Sequence, residues 1–176
     1  MNRMNRMNTA IETQRLLLRE MHIGDLDFVA EMLSDAEVMR FYPRCYTRSE
    51  AEQWLCRTTD RYLRDGHGLW IVMEKQSARP VGQVGLVRQS VEGVEEYEVG
   101  YLIHSPFWRR GYATEAATAT RDHAFFVLNK ERVISLIRPV NLPSQGVARR
   151  LGMVREPRPV IHAGREHWVF STSRPE

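Results

Sequence analysis

The sequence predicts one α/β (α+β) domain, a mixed and mostly antiparallel sheet of six to seven strands flanked by about four helices. Three observations carry that prediction. Three strand-like runs follow one another between residues 69 and 103 with only tight turns between them, which suits antiparallel pairing. Residues 95–138 then read strand–helix–strand, the pattern of a parallel pair joined by a crossover. The 176 residues, 43% of them hydrophobic, can bury one core but are too few for two ordinary domains.

The elements follow in order. MNRMNRMN (1–8) repeats an Asn/Arg triplet that builds no core, so residues 1–10 are expected to be a disordered leader before a domain over 11–176. RLLLREM (15–21) reads as a first strand. In GDLDFVAEMLSD (24–35), Leu26, Val29, Ala30 and Leu33 repeat at helical spacing. A second helix opens on a capping box, Thr47 with Glu50. It carries Ala51, Trp54, Leu55, Thr58 and Tyr62 inward and stops at Gly66. LWIVMEK (69–75), VGQVGLVR (81–88) and EEYEVGYLI (95–103) are strands, separated by SARP and by Glu92-Gly93. A helix from about Ala113 to Leu128 turns inward Ala113, Ala116, Ala117, Thr120 and Ala124, small residues that let its axis lie close to the sheet. RVISLIR (132–138) is a strand; Pro139 and Pro143 precede a short helix ending at Gly152; MVRE and HWVFSTS (167–173) are late strands.

Composition removes several function classes. The net charge is only +3 and no run of five or six like charges occurs, so nucleic-acid binding is not expected. No apolar stretch approaches 18 residues, which argues against a transmembrane helix, and the N-terminus lacks a signal-peptide core. Cys45 and Cys56 have neither metal-site nor redox spacing, so a cytoplasmic protein without a metal is expected.

FWRRGYATEA (107–116) is the chemically distinctive stretch: a basic, glycine-centred turn feeding a helix, where exposed amides and the helix dipole favour an anion. It lacks the three glycines of a dinucleotide fingerprint and the Gly-Lys-Ser/Thr ending of a P-loop. WRRGYA (108–113) instead resembles the pyrophosphate loop of the GNAT acyltransferase superfamily, Arg/Gln-x-x-Gly-x-Gly/Ala. EVGYLIHSPFWRRGYATEA (98–116) and NLPSQGVARRLGM (141–153) are similar to two blocks of that superfamily's RimJ/RimL branch, and TQRLLLRE (13–20) to its first strand. The resemblance spans residues 11–173 and implies a GNAT-like fold with acetyl-CoA as co-substrate. It implies amides of Arg109, Arg110, Gly111, Tyr112 and Ala113 around a pyrophosphate, with the Thr114 hydroxyl at the helix start. Without the resemblance, Arg109 and Arg110 are a solvated surface pair. Trp108 departs from the family's first Arg/Gln slot, which leaves the amide cradle but not a side-chain cap there.

The implied reaction is N-acetylation of a primary amine, by direct transfer because neither cysteine lies beside a base. An N-terminal α-amine titrates near ~7.7–8.0 and needs only a modest base, whereas a lysine near ~10.4 would need about 3 units more help, roughly 4 kcal/mol. Strand alternation puts Glu96, Glu98, Gly100 and Leu102 on one face. Glu98 is the first candidate base, with an arginine partner as its structural alternative; Glu96 and His104 are fallbacks. Many superfamily members protonate the leaving thiolate with a last-helix tyrosine; Ala148 stands there, so Ser144 is the substitute, or else a helix cap. Asn141 resembles the asparagine that contacts the pantetheine arm, and it too is a candidate cap. An amide within 98–102 is expected to polarise the thioester carbonyl. FYPRCYT (41–47) and HAGREHW (162–168) are candidate acceptor walls. The acceptor classes left open are a protein N-terminus, which the RimJ/RimL resemblance favours, and a small-molecule amine or antibiotic. A non-catalytic CoA- or RNA-binding module is the further alternative. A monomer or homodimer is expected.

Overall fold

The computed structural model describes residues 9–175. Nine strands form the sheet: β1 (Thr9–Glu12), β2 (Leu16–Arg19), β3 (Leu69–Glu74), β4 (Arg79–Val91), β5 (Val94–Ile103), β6 (Arg132–Ile137), β7 (Val154–Arg155), β8 (Val160–His162) and β9 (Arg165–Ser173). Their order is β1-β2-β3-β4-β5-β6-β9-β7, with β8 paired to β9. Every pairing is antiparallel except β5–β6, so the sheet is mixed and mostly antiparallel as its sequence predicts. The count exceeds six to seven through β1 and β8, four and three residues long, which carry too little alternation to announce themselves. Of the leader expected over 1–10, residues 1–8 lie outside the described residues, and Thr9 and Ala10 belong to β1.

Among the described residues, five helices flank the sheet: α1 (Leu26–Ser34), α2 (Ala36–Met39), α3 (Arg48–Asp65), α4 (Tyr112–Phe126) and α5 (Leu142–Arg150). α3 begins on its capping box, with the Glu50 amide donating to Thr47 Oγ1 and the Thr47 amide to Glu50 Oε2. Gly66 ends it at φ 74°. α5 ends likewise, since Gly152 sits at φ 76° and its amide reaches Arg149 O at 3.0 Å.

Alternation along the central strands fills two cores. Trp70 and Val72 of β3, with Val84, Leu86 and Val99, face α4 and α5, while Ile71 faces Val29, Met32, Leu33 and Leu55 of α1 and α3. Ala116, Ala117, Thr120 and Ala124 of α4 are buried, so this helix presents small side chains and lies close on the sheet. A buried bidentate pair, Arg19 with Asp25 at 2.8 and 2.6 Å, pins the end of β2 to the start of α1. Burial works against the Asp25 carboxylate, but the Arg19 and His22 contacts outweigh it and hold its pKa low.

Candidate active site

The basic turn begins where β5 ends. Ser105–Phe107 make a single 3₁₀ turn; Phe107 is buried, and Trp108 donates its indole N–H to Ile103 O at 2.6 Å. The chain thus enters the turn from two anchored aromatics. Arg109 (φ 61°) and Gly111 (φ 80°) both adopt the left-handed region. Alternating hand along a short segment turns successive N–H groups inward to one concavity. Among the described residues, the amides of Arg109 through Thr114 have no protein acceptor, whereas the next amide, Glu115, bonds Gly111 O at 3.0 Å. Six donors in a row at the N-terminus of a 15-residue helix make a site for a strongly anionic group.

Side chains divide differently. The Tyr112 ring turns into the core, where its hydroxyl meets the Glu74 carboxylate, so this residue offers only its amide. Arg109 and Arg110 are exposed, and Arg110 lies over the Phe107 ring. Arg15, at the start of β2, clasps the turn: its guanidinium meets Glu115 at 2.6 Å and donates to Arg110 O at 2.9 Å. The sequence reading missed this residue, which lies 95 positions from the carbonyl it holds.

The second half of the site is a cavity of about 360 Å³ where β5 and β6 part. Parallel pairing is confined to Glu98 opposite Ile134. Just beyond it, Ser135 bridges the strands by donating its hydroxyl to Val99 O at 2.8 Å. A residue's N–H and C=O point to the same side of a strand, so Val99 and, two residues on, Tyr101 direct their backbone groups towards β6 and the gap. Glu98, Asn141 and Ser144 all line the cavity; Arg109–Thr114 do not.

Glu98 accepts a hydrogen bond from Gln89 Nε2 at 2.7 Å. It is half-buried and lines the cavity, and burial raises its pKa above the usual carboxylate range despite Gln89, His162, Leu136 and Arg61, which act the other way. The two fallback bases sit elsewhere. Glu96 meets Arg132 at 3.3 Å, and His104 is buried between Phe28 and Phe107, 3.7 Å from Asp35. Neither lines the cavity.

Asn141 is the N-cap of α5, its Oδ1 accepting from the Ser144 amide at 3.2 Å. Ser144 is therefore not the cap, and its hydroxyl has no partner among the described residues. Ala148 is buried in the core, and Tyr101 reaches the region instead, donating its hydroxyl to Ser144 O at 2.7 Å. Burial and the nearby Glu98 charge push the Tyr101 phenol up, which keeps it protonated. Alternation alone assigned Tyr101 to the opposite face from Glu98; the gap after the single β5–β6 pair is what lets both line one cavity.

The candidate acceptor walls meet here. Tyr42 and Tyr46 line the cavity, as do His162, Arg165 and His167 of the β8–β9 hairpin, while Arg44 turns away to Glu50 at 2.8 Å. Tyr42 borders the cavity while remaining 46% exposed, and desolvation on its cavity side and then the Glu98 charge push its phenol up.

The sequence model of the family described as "Acetyltransferase (GNAT) domain" matches residues 15–154. An uncharacterized N-acetyltransferase of Bacillus subtilis, YnaD, is 30% identical over 161 residues, covering 90% of this chain and 91% of the relative. An acetyltransferase structure from Agrobacterium tumefaciens superposes with TM-score 0.82 at 26% identity, over 99% of both chains. A putative ribosomal-protein-serine acetyltransferase from Vibrio cholerae does so with TM-score 0.79 at 28% identity, over 93% of this chain and 96% of that one. The fold alone is shared with RimL in complex with coenzyme A (15% identity, TM-score 0.74, 92% and 96% covered). The same holds for a V. cholerae spermidine N-acetyltransferase in complex with CoA and spermine (19% identity, TM-score 0.72, 92% and 97% covered). No group of three or more His, Cys, Asp or Glu among the described residues is placed to hold a metal ion.

Proposed function

Because this chain belongs to the GNAT acetyltransferase family, we propose that it transfers an acetyl group from acetyl-CoA directly to a primary α-amine, with Glu98 as base and Ser144 at the leaving group. The observation that carries this reading is the convergence of Glu98, Ser144 and Tyr101 on one cavity beside the parted strands. Acetyl-CoA supplies an acetyl thioester, in which the amine displaces the thiol.

The six partnerless amides of Arg109–Thr114 fit the cofactor's pyrophosphate, and the Arg109 and Arg110 side chains add positive charge at the rim. Asn141 Oδ1 caps α5, which leaves its amide N–H₂, unpartnered among the described residues, to meet the pantetheine arm. The Tyr101 amide, aimed into the gap, is placed to polarise the carbonyl. Glu98 Oε takes the proton that the amine loses; its raised pKa makes it a stronger base than a surface carboxylate. The Ser144 Oγ–H would donate a hydrogen bond to the departing thiolate while keeping its proton, and Tyr101 fixes Ser144 through its carbonyl.

An α-amine suits this machinery, since one titrating near ~7.7–8.0 is roughly one-tenth neutral at pH 7 and a single carboxylate is help enough. The RimJ/RimL resemblance and the likeness to the V. cholerae ribosomal-protein-serine acetyltransferase support a protein N-terminus as its source. Thermal unfolding with acetyl-CoA, ATP and NAD in parallel tests the proposal. Acetyl-CoA at a hundredfold over Kd should stabilise by ~2.7 kcal/mol, roughly 5–10 °C for a domain of this size. A shift with ATP and none with acetyl-CoA would sink it.

A further inference from the structure

Resting on that reading, we infer that the acceptor carries a carboxylate within a few bonds of its amine, held by Arg61 while Gln83 and Glu98 hold the nitrogen. Two unpartnered groups lead to this. Arg61, on α3, is half-buried in the cavity wall, and its guanidinium has no ion pair or hydrogen bond among the described residues. A guanidinium on a cavity wall, engaged in no ion pair, is a ready partner for a planar anion. Gln83, on β4, is only 6% exposed, and its Oε1 lacks a hydrogen-bond partner among the described residues. It stands opposite Leu102 in the β4–β5 register, on the face that also carries Glu98, and lines the same cavity. A buried amide oxygen can be satisfied only by a donor, and the amine nitrogen of an acceptor supplies one.

The charge balance selects the substrate class. Among the described residues, Arg61, Arg138 and Arg165 line the cavity against a single carboxylate, Glu98. Arg138 donates to Glu166 O at 3.1 Å, a backbone carbonyl that leaves its charge unneutralised. Arg61 and Glu98 line the same cavity, which places a cation and a base within reach of one small molecule. A polyamine would bring further positive charge into this surround, whereas a zwitterion matches it, ammonium-derived nitrogen to the Gln83/Glu98 side and carboxylate to Arg61. The phosphates of the cofactor do not account for Arg61, because the partnerless amides at 109–114 lie outside the cavity it lines.

The shared chemistry has two sources: a free amino acid, or a peptide whose first residue is Asp or Glu. Thiol release from acetyl-CoA would be measured with free amino acids against their primary amides, with peptides starting Asp or Glu against Asn or Gln, and with spermidine. Rates are referred to the neutral-amine fraction of each. The carboxylate member of at least one set should lead by about tenfold or more in kcat/KM, about 1.4 kcal/mol, and whichever set leads identifies the source. R61Q should collapse that lead about tenfold, acting on KM more than on kcat. Equal rates within every pair, no turnover of any carboxylate-bearing amine, spermidine as the best acceptor, or a lead that survives R61Q would each overturn the inference. The wild-type panel decides even if R61Q fails to fold. Acetyl-CoA binding without a carboxylate preference sinks this inference alone; no acetyl-CoA binding sinks the reading beneath it.

Discussion

Replacing Gly111 with alanine isolates backbone geometry from side-chain chemistry. The new Cβ would lie 3.4 Å from Arg15 Nη2, the movable end of a side chain, so crowding is not the main cost. The cost is conformational: φ 80° is the left-handed region, which an L-residue enters at about 1–2 kcal/mol. That energy has two outlets. If the turn keeps its shape, the whole penalty falls on folding; at roughly 2–4 °C per kcal/mol for a domain this size, Tm drops about 2–8 °C and acetyl-CoA affinity is unchanged. If the turn relaxes, Tm holds but the amides lose their common aim and must be re-strained on binding, raising Kd about 5–30-fold. The two losses should therefore add to about 1–2 kcal/mol however they divide. Arg15 decides the division, because its hydrogen bond to Arg110 O holds the carbonyl next to Gly111. G111A alone should lose mainly stability, and G111A in an R15A background should shift the loss towards affinity. Thermal unfolding and acetyl-CoA titration on the four proteins complete the cycle. A G111A protein with neither quantity changed, or a division indifferent to Arg15, would refute the strained-turn account.

Three further outcomes test the remaining groups. E98Q should lower turnover by about 10²–10⁴ and flatten the acidic limb of the pH–rate profile. The folded pKa of Glu98 is raised, so its ionisation opposes folding: stability is present below the unfolded value and lost as pH rises through the folded one. E98Q should thus match wild type in Tm near pH 4 and exceed it near pH 8; a lower Tm at pH 8 would contradict the assigned environment. Ser144→Ala should slow chemistry without weakening acetyl-CoA binding, while Tyr101→Phe, which removes the hold on Ser144 O, should slow it less; full turnover in S144A under chemistry-limited conditions rejects the serine's role. Asp25→Asn breaks a buried bidentate pair and should cost about 3–5 kcal/mol. The Asp25 pKa is depressed, so its contribution is present above the unfolded value and lost as pH falls through the folded one, and the Tm gap between D25N and wild type should close in acid.

What was legible in the sequence is what neighbouring residues determine. The capping box of α3 and the left-handed end of α5 rest on contacts within a few positions, and the small inner face of α4 on helical spacing within one segment. The turn at 109–114 belongs with them: one glycine after two arginines, feeding a helix, is a local statement, and its amides stand free. Glu98 was legible by alternation once β5 was placed. The groups that escaped are joined by register. Arg15 reaches Arg110 across 95 positions, Gln83 meets Leu102's neighbourhood only because β4 and β5 pair as they do, and Tyr101 shares a cavity with Glu98 only because β6 leaves β5 after one pair. His104 shows the converse, for it has a suitable side chain beside the turn and is spent on Asp35 and two phenylalanines. The proposed donor half of this site is a local motif, readable from a short string. The proposed acceptor half draws on α3, β4, β5 and the β8–β9 hairpin, so its specificity would be a property of the register, and Arg61 and Gln83 acquire meaning only when both are left without partners, among the described residues, in the same cavity.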